Sequence, residues 1–486
     1  MPSTQLKNQH LLWRAGFGPS AGQLPGLRQS NPAELYRSLQ QAAAAPPQPL
    51  DAIDSELKAL VMSAQEPGMP RRNLDEAERR MVMVKQRESI RNLNLRWLGE
   101  MVHGKAQLRE KMAFFWHGHF TARNNNVFFQ QQLLEIIRRN ALGSFRTLLH
   151  ETAKSAAILN FLNAQQNRKG HPNENFAREV MELFTLGRGH YSEQDIREAA
   201  RAFTGWSADR RGVFQFRPFQ HDDGVKTLFG KTGKLTGEEV LDLLLEQRAT
   251  ARFITARIFR FFVAEKENRE VVDRLAKRFY ESDYDISGLM QSIFTSSWFY
   301  DPQYIGNRIK SPVELLAGLQ RMLPMRLEDE EPMLLLQRLL GQTLFYPPNV
   351  AGWPGGRAWI DSSTLMVRLR IPQLIGRSDA LNIAPKADDD TMMGRTEAQK
   401  EAARNRKNLG PLGKSIGAEV DWVAYEKGFA SVPRAQLLST LAAALFQTAG
   451  QPAPAMVNRF VDDTDRSAYI RTATLQLMST PEYQVC

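Results

Sequence analysis

Asn173-Glu174-Asn175-Phe176-Ala177-Arg178-Glu179-Val180-Met181-Glu182-Leu183-Phe184-Thr185-Leu186-Gly187 is the stretch on which the fold class turns. Phe176, Val180, Leu183 and Phe184 recur at helical spacing and make one apolar face. Asn173 is a suitable N-cap and Gly187 a suitable stop, so the spacing predicts a helix over Glu174–Leu186. Just downstream, Ser192 with Asp195 reads as a capping box, and Ile196, Ala199, Ala200 and Phe203 carry a second stripe up to Gly205. Gly212-Val-Phe-Gln-Phe-Arg217 alternates instead, and is read as a short strand, half of a hairpin. Helical patterns resume at Gly237–Glu246, Ala249–Val263, Arg269–Tyr280, Ser311–Leu323, Arg434–Thr448 and Tyr469–Met478. Upstream, Leu74–His103 is charged, periodic and free of Gly and Pro, which predicts one long helix, whole or broken once. Pro46-Pro47-Gln48-Pro49 and Pro67-Gly68-Met69-Pro70 punctuate the segment before it. The chain is mainly α.

Composition narrows the function classes. The 486 residues are 42% hydrophobic and 24% charged, with 26 Phe and 8 Trp, a mixture that buries a core and excludes wholesale disorder. There are 63 Lys and Arg against 53 Asp and Glu, a net charge of +10, a mild excess for this length. Cys486 is the only cysteine. No intramolecular disulfide and no thiolate-based metal centre can be built. No run of 18 apolar residues offers a membrane span. The first residues lack the apolar stretch of a secretory leader, so a cytoplasmic location is the expectation; an exported chain whose leader has been removed reads the same way.

Several familiar strings do not meet their own requirements. Gly230-Lys231-Thr232 resembles the end of a phosphate-binding loop, but the preceding glycine would stand at position 225, which is Val225. There is no dinucleotide-binding glycine fingerprint, nucleophile elbow or His-Glu-x-x-His. Between Ala384 and Lys414 three Asp in succession and many Lys, Arg, Glu and Asn replace large apolar residues. That reads as a flexible linker or excursion over 384–414, between a helical core over 1–383 and helices over 415–486. Its cations are not interleaved with aromatics, which argues against nucleic-acid binding.

All eight histidines lie between His10 and His221, and three polar constellations fall in that half. Phe114-Phe-Trp-His117-Gly-His119-Phe120 sets two imidazoles among aromatics. Two positions apart on a continuing helix they diverge by about 200° and cannot grip one ion; hydrogen-bonded core histidines are the plainer reading. In the quoted helix Glu179 and Glu182 are neighbours on one face. Two carboxylates so placed repel unless a cation intervenes or one is protonated, while Arg178 could satisfy them structurally. Asn173, Glu174 and Asn175 crowd its N-terminus. His221-Asp222-Asp223-Gly224-Val-Lys226 follows the strand and suits a metal, a proton relay or an anion, and equally an ordinary turn. Imidazoles and carboxylates without thiols make the ligand set of a zinc, manganese or iron site.

These strings resemble a large bacterial family known as domain of unknown function 1800. The likeness runs through His10-Leu-Leu-Trp-Arg-Ala-Gly-Phe-Gly18, Phe115-Trp-His-Gly-His-Phe120, Asn173–Gly187, Tyr191–Arg197 and Ala202-Phe-Thr-Gly-Trp206. It continues through His221-Asp222 with Lys226, Lys310-Ser-Pro-Val-Glu314, Gly341–Gly356 and Ser479-Thr-Pro-Glu-Tyr-Gln484, covering essentially the whole chain. The resemblance implies a single large multi-helical domain with a short β-hairpin excursion and long irregular loops, its C-terminal helices packing back on the core. It implies no established reaction. It also implies a partner: members are often encoded beside a second family, domain of unknown function 1501, which resembles sulfatase- or phosphatase-like proteins. Many members are exported, and this sequence shows no leader.

The expectation is an enzyme acting on an anionic or polar substrate by hydrolysis or oxidation, at a site gathered from separate parts of the chain. Catalytic groups would be His119, Glu174, Glu179, Glu182, His221 and Lys226. Asn173, Asn175, Arg178, Asn349 and Trp353 would bind substrate, the last two on the Pro- and Gly-rich Gly341–Gly356 loop, which lines a pocket or plugs the helical core. A divalent metal, if used, would sit on His119, Glu182, His221 and Asp222. The rival expectation is a non-catalytic helical scaffold that binds a partner protein, with the same residues serving as buried ion pairs.

Overall fold

Capping chemistry and apolar periodicity set the helices, and burial shows which of them form the centre. A computed structural model describes residues 2–63, 75–209, 211–377, 416–448 and 454–486. Helix α1 (Thr4–Arg14) starts on the side chain of Ser3 and buries everything from Asn8 onward. Helix α2 (Glu76–His103) runs 28 residues without a break from an Asp75–Glu78 capping box. Helix α3 (Gln107–His119) is buried at every position but Gly118. A helix buried all round is the axis about which others pack.

The quoted stretch forms α4 (Glu174–Glu179) from its Asn173 cap, then departs from expectation. Residues Val180–Thr185 are a π-helix. The Leu186 N–H donates to the Met181 carbonyl at 2.8 Å and the Thr185 hydroxyl to that of Val180 at 2.7 Å. The widened turn still presents the same apolar residues inward, so periodicity does not reveal it. Helix α5 (Glu193–Ala202) carries the expected Ser192–Asp195 capping box. Helices α6 (Gly237–Glu246), α7 (Arg248–Phe262), α8 (Arg269–Glu281) and α9 (Pro312–Met322) follow. Helices α10 (Leu437–Leu445) and α11 (Arg466–Met478) pack on each other near the end of the chain.

Strand content is confined to three antiparallel pairs among the described residues. Strand β1 (Trp206–Ala208) pairs with β2 (Phe214–Phe216) as the expected hairpin. Strands β3 (Lys226–Leu228) and β4 (Lys231–Gly233) form a second hairpin through Phe229 and Gly230, at φ of 48° and 78°. Gly230 is thus the second turn residue and Lys231-Thr232 open β4, which is hairpin chemistry and not a phosphate loop. Strand β5 (Met325–Leu327) pairs with β6 (Ala418–Val420). The linker expected over 384–414 lies outside the described residues.

One continuous apolar core runs from Leu11 to Tyr483, so the architecture is a mainly α single domain. A set of fully buried charges crosses it. Lys111 on α3 and Glu314 on α9 pair at 2.5 Å with neither side chain exposed, and Arg308 stands 3.6 Å from the same carboxylate. Arg14 donates to the carbonyls of Tyr304 and Cys486, and Lys310 to that of Tyr483, with its ammonium 3.8 Å above both the Trp13 and Tyr483 rings. Three of the strings quoted for the family, His10–Gly18, Lys310–Glu314 and Ser479–Gln484, meet here. No helix among the described residues is long and apolar enough to cross a membrane.

Candidate functional site

Because α3 continues through Gly118, its two histidines point apart. His117 turns toward Trp97, Phe345 and Trp353, and its Nε2 accepts the Phe345 N–H at 3.2 Å. That bond holds Phe345 at a φ of 68°, a left-handed conformation a bulky residue adopts only when its surroundings impose it. Burial pushes the His117 imidazole down to about 3. His119 faces the other way, into Phe115, Trp116, Phe120 and Phe184. Its Nε2–H donates to the Phe184 carbonyl at 3.1 Å, and Nδ1 has no partner. The carbonyl can only accept, so the proton sits on Nε2. Burial, reinforced by Arg257, holds this imidazole well below its ordinary value. At 2% exposure His119 clamps the π-turn from below.

On the outer side of that turn stand the two carboxylates. Glu182 is fixed by Arg188 at 2.6 Å and by the Tyr191 hydroxyl at 2.9 Å, and the Arg188 contact keeps it below the usual carboxylate range. Glu179, one turn earlier and partly buried, makes no hydrogen bond or ion pair among the described residues. Its proton affinity is raised, first by desolvation and then by the Glu182 charge. Environment has therefore split a pair of identical groups, one held ionised and one inclined to carry a proton. Tyr191 and Arg188 were not among the expected site residues. Their signal lay nine and six positions beyond Glu182, across a turn no helical spacing connects.

The remaining expected residues are spent on local structure. Asn173 caps α4 and Asn175 donates to the Leu162 carbonyl. Arg178 bridges Glu174 at 3.2 Å and Glu193 at 2.7 Å. His221, 5% exposed, has Nδ1 2.9 Å from the Thr204 carbonyl. Asp222 takes Arg201 through both oxygens, which holds its carboxyl at about 2. Lys226, 1% exposed, donates to the carbonyls of Asp222 and Gly224. The string is a knotted loop. On Gly341–Gly356, Asn349 closes a turn onto the Ala351 N–H, while Trp353 stacks 5.4 Å from His117. At Gly352, φ is 87° and a Cβ would lie 2.7 Å from the Gly118 carbonyl. The loop thus seats backbone against backbone at the end of α3.

The expected metal set His119, Glu182, His221 and Asp222 is not brought together among the described residues. Among the described residues no group of three or more His, Cys, Asp or Glu side chains is placed to hold an ion. Each of the four already has its own partner, and the buried imidazoles face aromatic walls.

No curated protein and no solved structure matches the chain. A family model does: the one described as protein of unknown function (DUF1800) matches residues 10–485. That span takes in each string that meets around α3, from the His10 segment to the closing Ser479–Gln484, and the chain belongs to the DUF1800 family.

Proposed function

We propose that the chain is an acid–base enzyme acting on a polar or anionic substrate at the outer face of the π-turn, with Glu179 as the group that takes up and returns a proton. The observation that carries this reading is the split carboxylate pair. Glu179 is partly buried, has no partner and is raised in proton affinity, three residues from a Glu182 locked in the ionised state by Arg188 and Tyr191. A free carboxyl of raised proton affinity is a group that general acid–base chemistry can use. The π-turn adds weight, because such turns are costly and concentrate at functional sites. In this reading His119 is a positioning residue that acts through the Phe184 carbonyl. The test is a panel of carboxylic esters, amides and phosphate and sulfate esters, run with wild type and Glu179→Gln. At least a hundredfold loss of turnover at unchanged Tm supports the assignment. Equal turnover by the variant, or none by the wild type on any substrate of the panel, sinks it.

A second reading has its own observation. The first hairpin and the loop after it expose Val213 at 55%, Phe216 at 46%, Phe219 at 80% and Val225 at 58%. Apolar side chains gathered on one excursion suit a partner protein, and domain of unknown function 1501 is the candidate the family resemblance supplies. Purified protein of that family should bind wild type and lose about tenfold or more on Phe219→Ser with Phe216→Ser; indifference to the double substitution removes this reading.

A further inference from the structure

A hollow of about 210 Å³ opens beyond the end of the π-turn, walled by Gly187 and Arg188 on one side and by Arg252, Phe253, Arg257 and Arg260 of α7 on the other, with the Glu267 carboxylate also in its lining. It has room for about seven waters. The spacing of the α7 residues puts them on one stripe of the helix, and Ala249 and Ala256, on the same stripe, keep the space open. Gly187, at a φ of 74°, lets the opposite wall approach: a Cβ there would meet the Phe253 ring at 2.7 Å.

The charges in this hollow do not balance. Arg188 is answered by Glu182, and Arg252 by Glu267 at 2.5 Å and Asp273 at 2.9 Å. Arg257 and Arg260 have no hydrogen bond and no acidic partner among the described residues. Arg257 is partly buried, lies 5.8 Å over the Phe253 ring and crowds Arg260, and burial with that neighbour brings it down to about 10. A guanidinium set into a wall without a counter-charge costs stability. It is kept where a ligand supplies the missing charge.

We infer that this hollow is a binding site for a tetrahedral oxyanion, a phosphate or sulfate group, gripped by Arg257 and Arg260 between the π-turn and α7. One partly buried and one exposed guanidinium, neither with an acidic partner among the described residues, match a dianion better than a carboxylate, and their planar donor forks suit its several acceptor oxygens. The inference goes beyond the acid–base reading and does not depend on it, since binding is measured without turnover.

The test is calorimetric titration and thermal melting of the full chain with inorganic phosphate, sulfate and acetate, chloride holding ionic strength constant. Phosphate and sulfate should bind saturably and raise Tm, and acetate should bind at least about tenfold more weakly. Arg257→Met should weaken phosphate binding at least about tenfold and Arg260→Ala severalfold. Without anion, Arg257→Met should melt at or above the wild-type temperature, because it removes an uncompensated charge. Phenyl phosphate distinguishes the source: tighter binding than inorganic phosphate marks a phosphoryl group carried by a larger molecule, equal binding a free anion. Absence of saturable phosphate binding by the wild type, unchanged binding by Arg257→Met and Arg260→Ala, or acetate binding as tight as phosphate each overturns the inference.

Discussion

Glu314 shows what a single buried charge does in this protein. Its carboxylate has no exposure, yet stays ionised because Lys111 at 2.5 Å, Arg308 at 3.6 Å and the Ser311 N–H at 2.8 Å outweigh the desolvation that would raise it. Removing one member of such a set leaves the others uncompensated, so Glu314→Gln should cost about 3–5 kcal/mol, read by urea unfolding at pH 7. A loss under about 1 kcal/mol would mean that water or a rearranged Lys111 neutralises the site. Because the folded value is depressed, the stabilisation is present above the unfolded carboxylate range and is lost as pH falls through the folded value. The residue types of this cluster were legible in Lys310–Glu314, but Lys111 was not connected with it. Two hundred residues separate the pair, and no periodicity links them.

At the level of elements, helices came through the sequence because caps and apolar stripes are local. The Ser192–Asp195 box and the Gly237–Glu246 bounds stand as read. The π-helix did not come through: six residues with the same inward face satisfy α and π winding alike. What accompanies the wider turn is one tertiary contact, the Phe184 carbonyl held by His119 of α3, and one local one, the Val180 carbonyl held by the Thr185 hydroxyl. Thr185→Val should therefore cost about 1–2 kcal/mol and speed amide exchange over Val180–Leu186; unchanged exchange would show that the turn does not need the hydroxyl. The Gly341–Gly356 loop was read as either lining a pocket or plugging the core, and Gly352 decides the matter at its own position. With φ at 87° and the Gly118 carbonyl 2.7 Å from a would-be Cβ, Gly352→Ala should cost about 1–3 kcal/mol in thermal melting. A neutral substitution would show that the loop is not pressed onto α3.

For the whole molecule, three buried histidines, His10 on α1 with His117 and His119 on α3, shape the response to acid. His10, against Phe299 at 4.5 Å and beside Arg14, is depressed with His117 and His119, all mainly by burial. The unfolded chain protonates them near pH 6.5 and the folded chain does not, so below that pH the unfolded state binds more protons. Stability should fall as pH drops below about 7, with a limiting slope near 1.4 kcal/mol per unit for each histidine, about 4 for three. Unfolding free energies that stay flat from pH 7.5 to 5 would show that these rings are not sealed when folded. His117→Gln, if it folds, should remove about a third of the slope.

The sequence by itself determined the helical class, most helices and the family, because caps, stripes and motif strings are written in neighbouring residues. It also presented every polar group that a site would use. Only the tertiary structure decided which of them were free. Whether a carboxylate or guanidinium is spent on a neighbour depends on residues brought near it by the packing of distant segments. Lys226, His221 and Asp222 proved to be loop knots, while Glu179, and Arg257 with nothing in its own segment to mark it out, have no hydrogen bond or ion pair among the described residues.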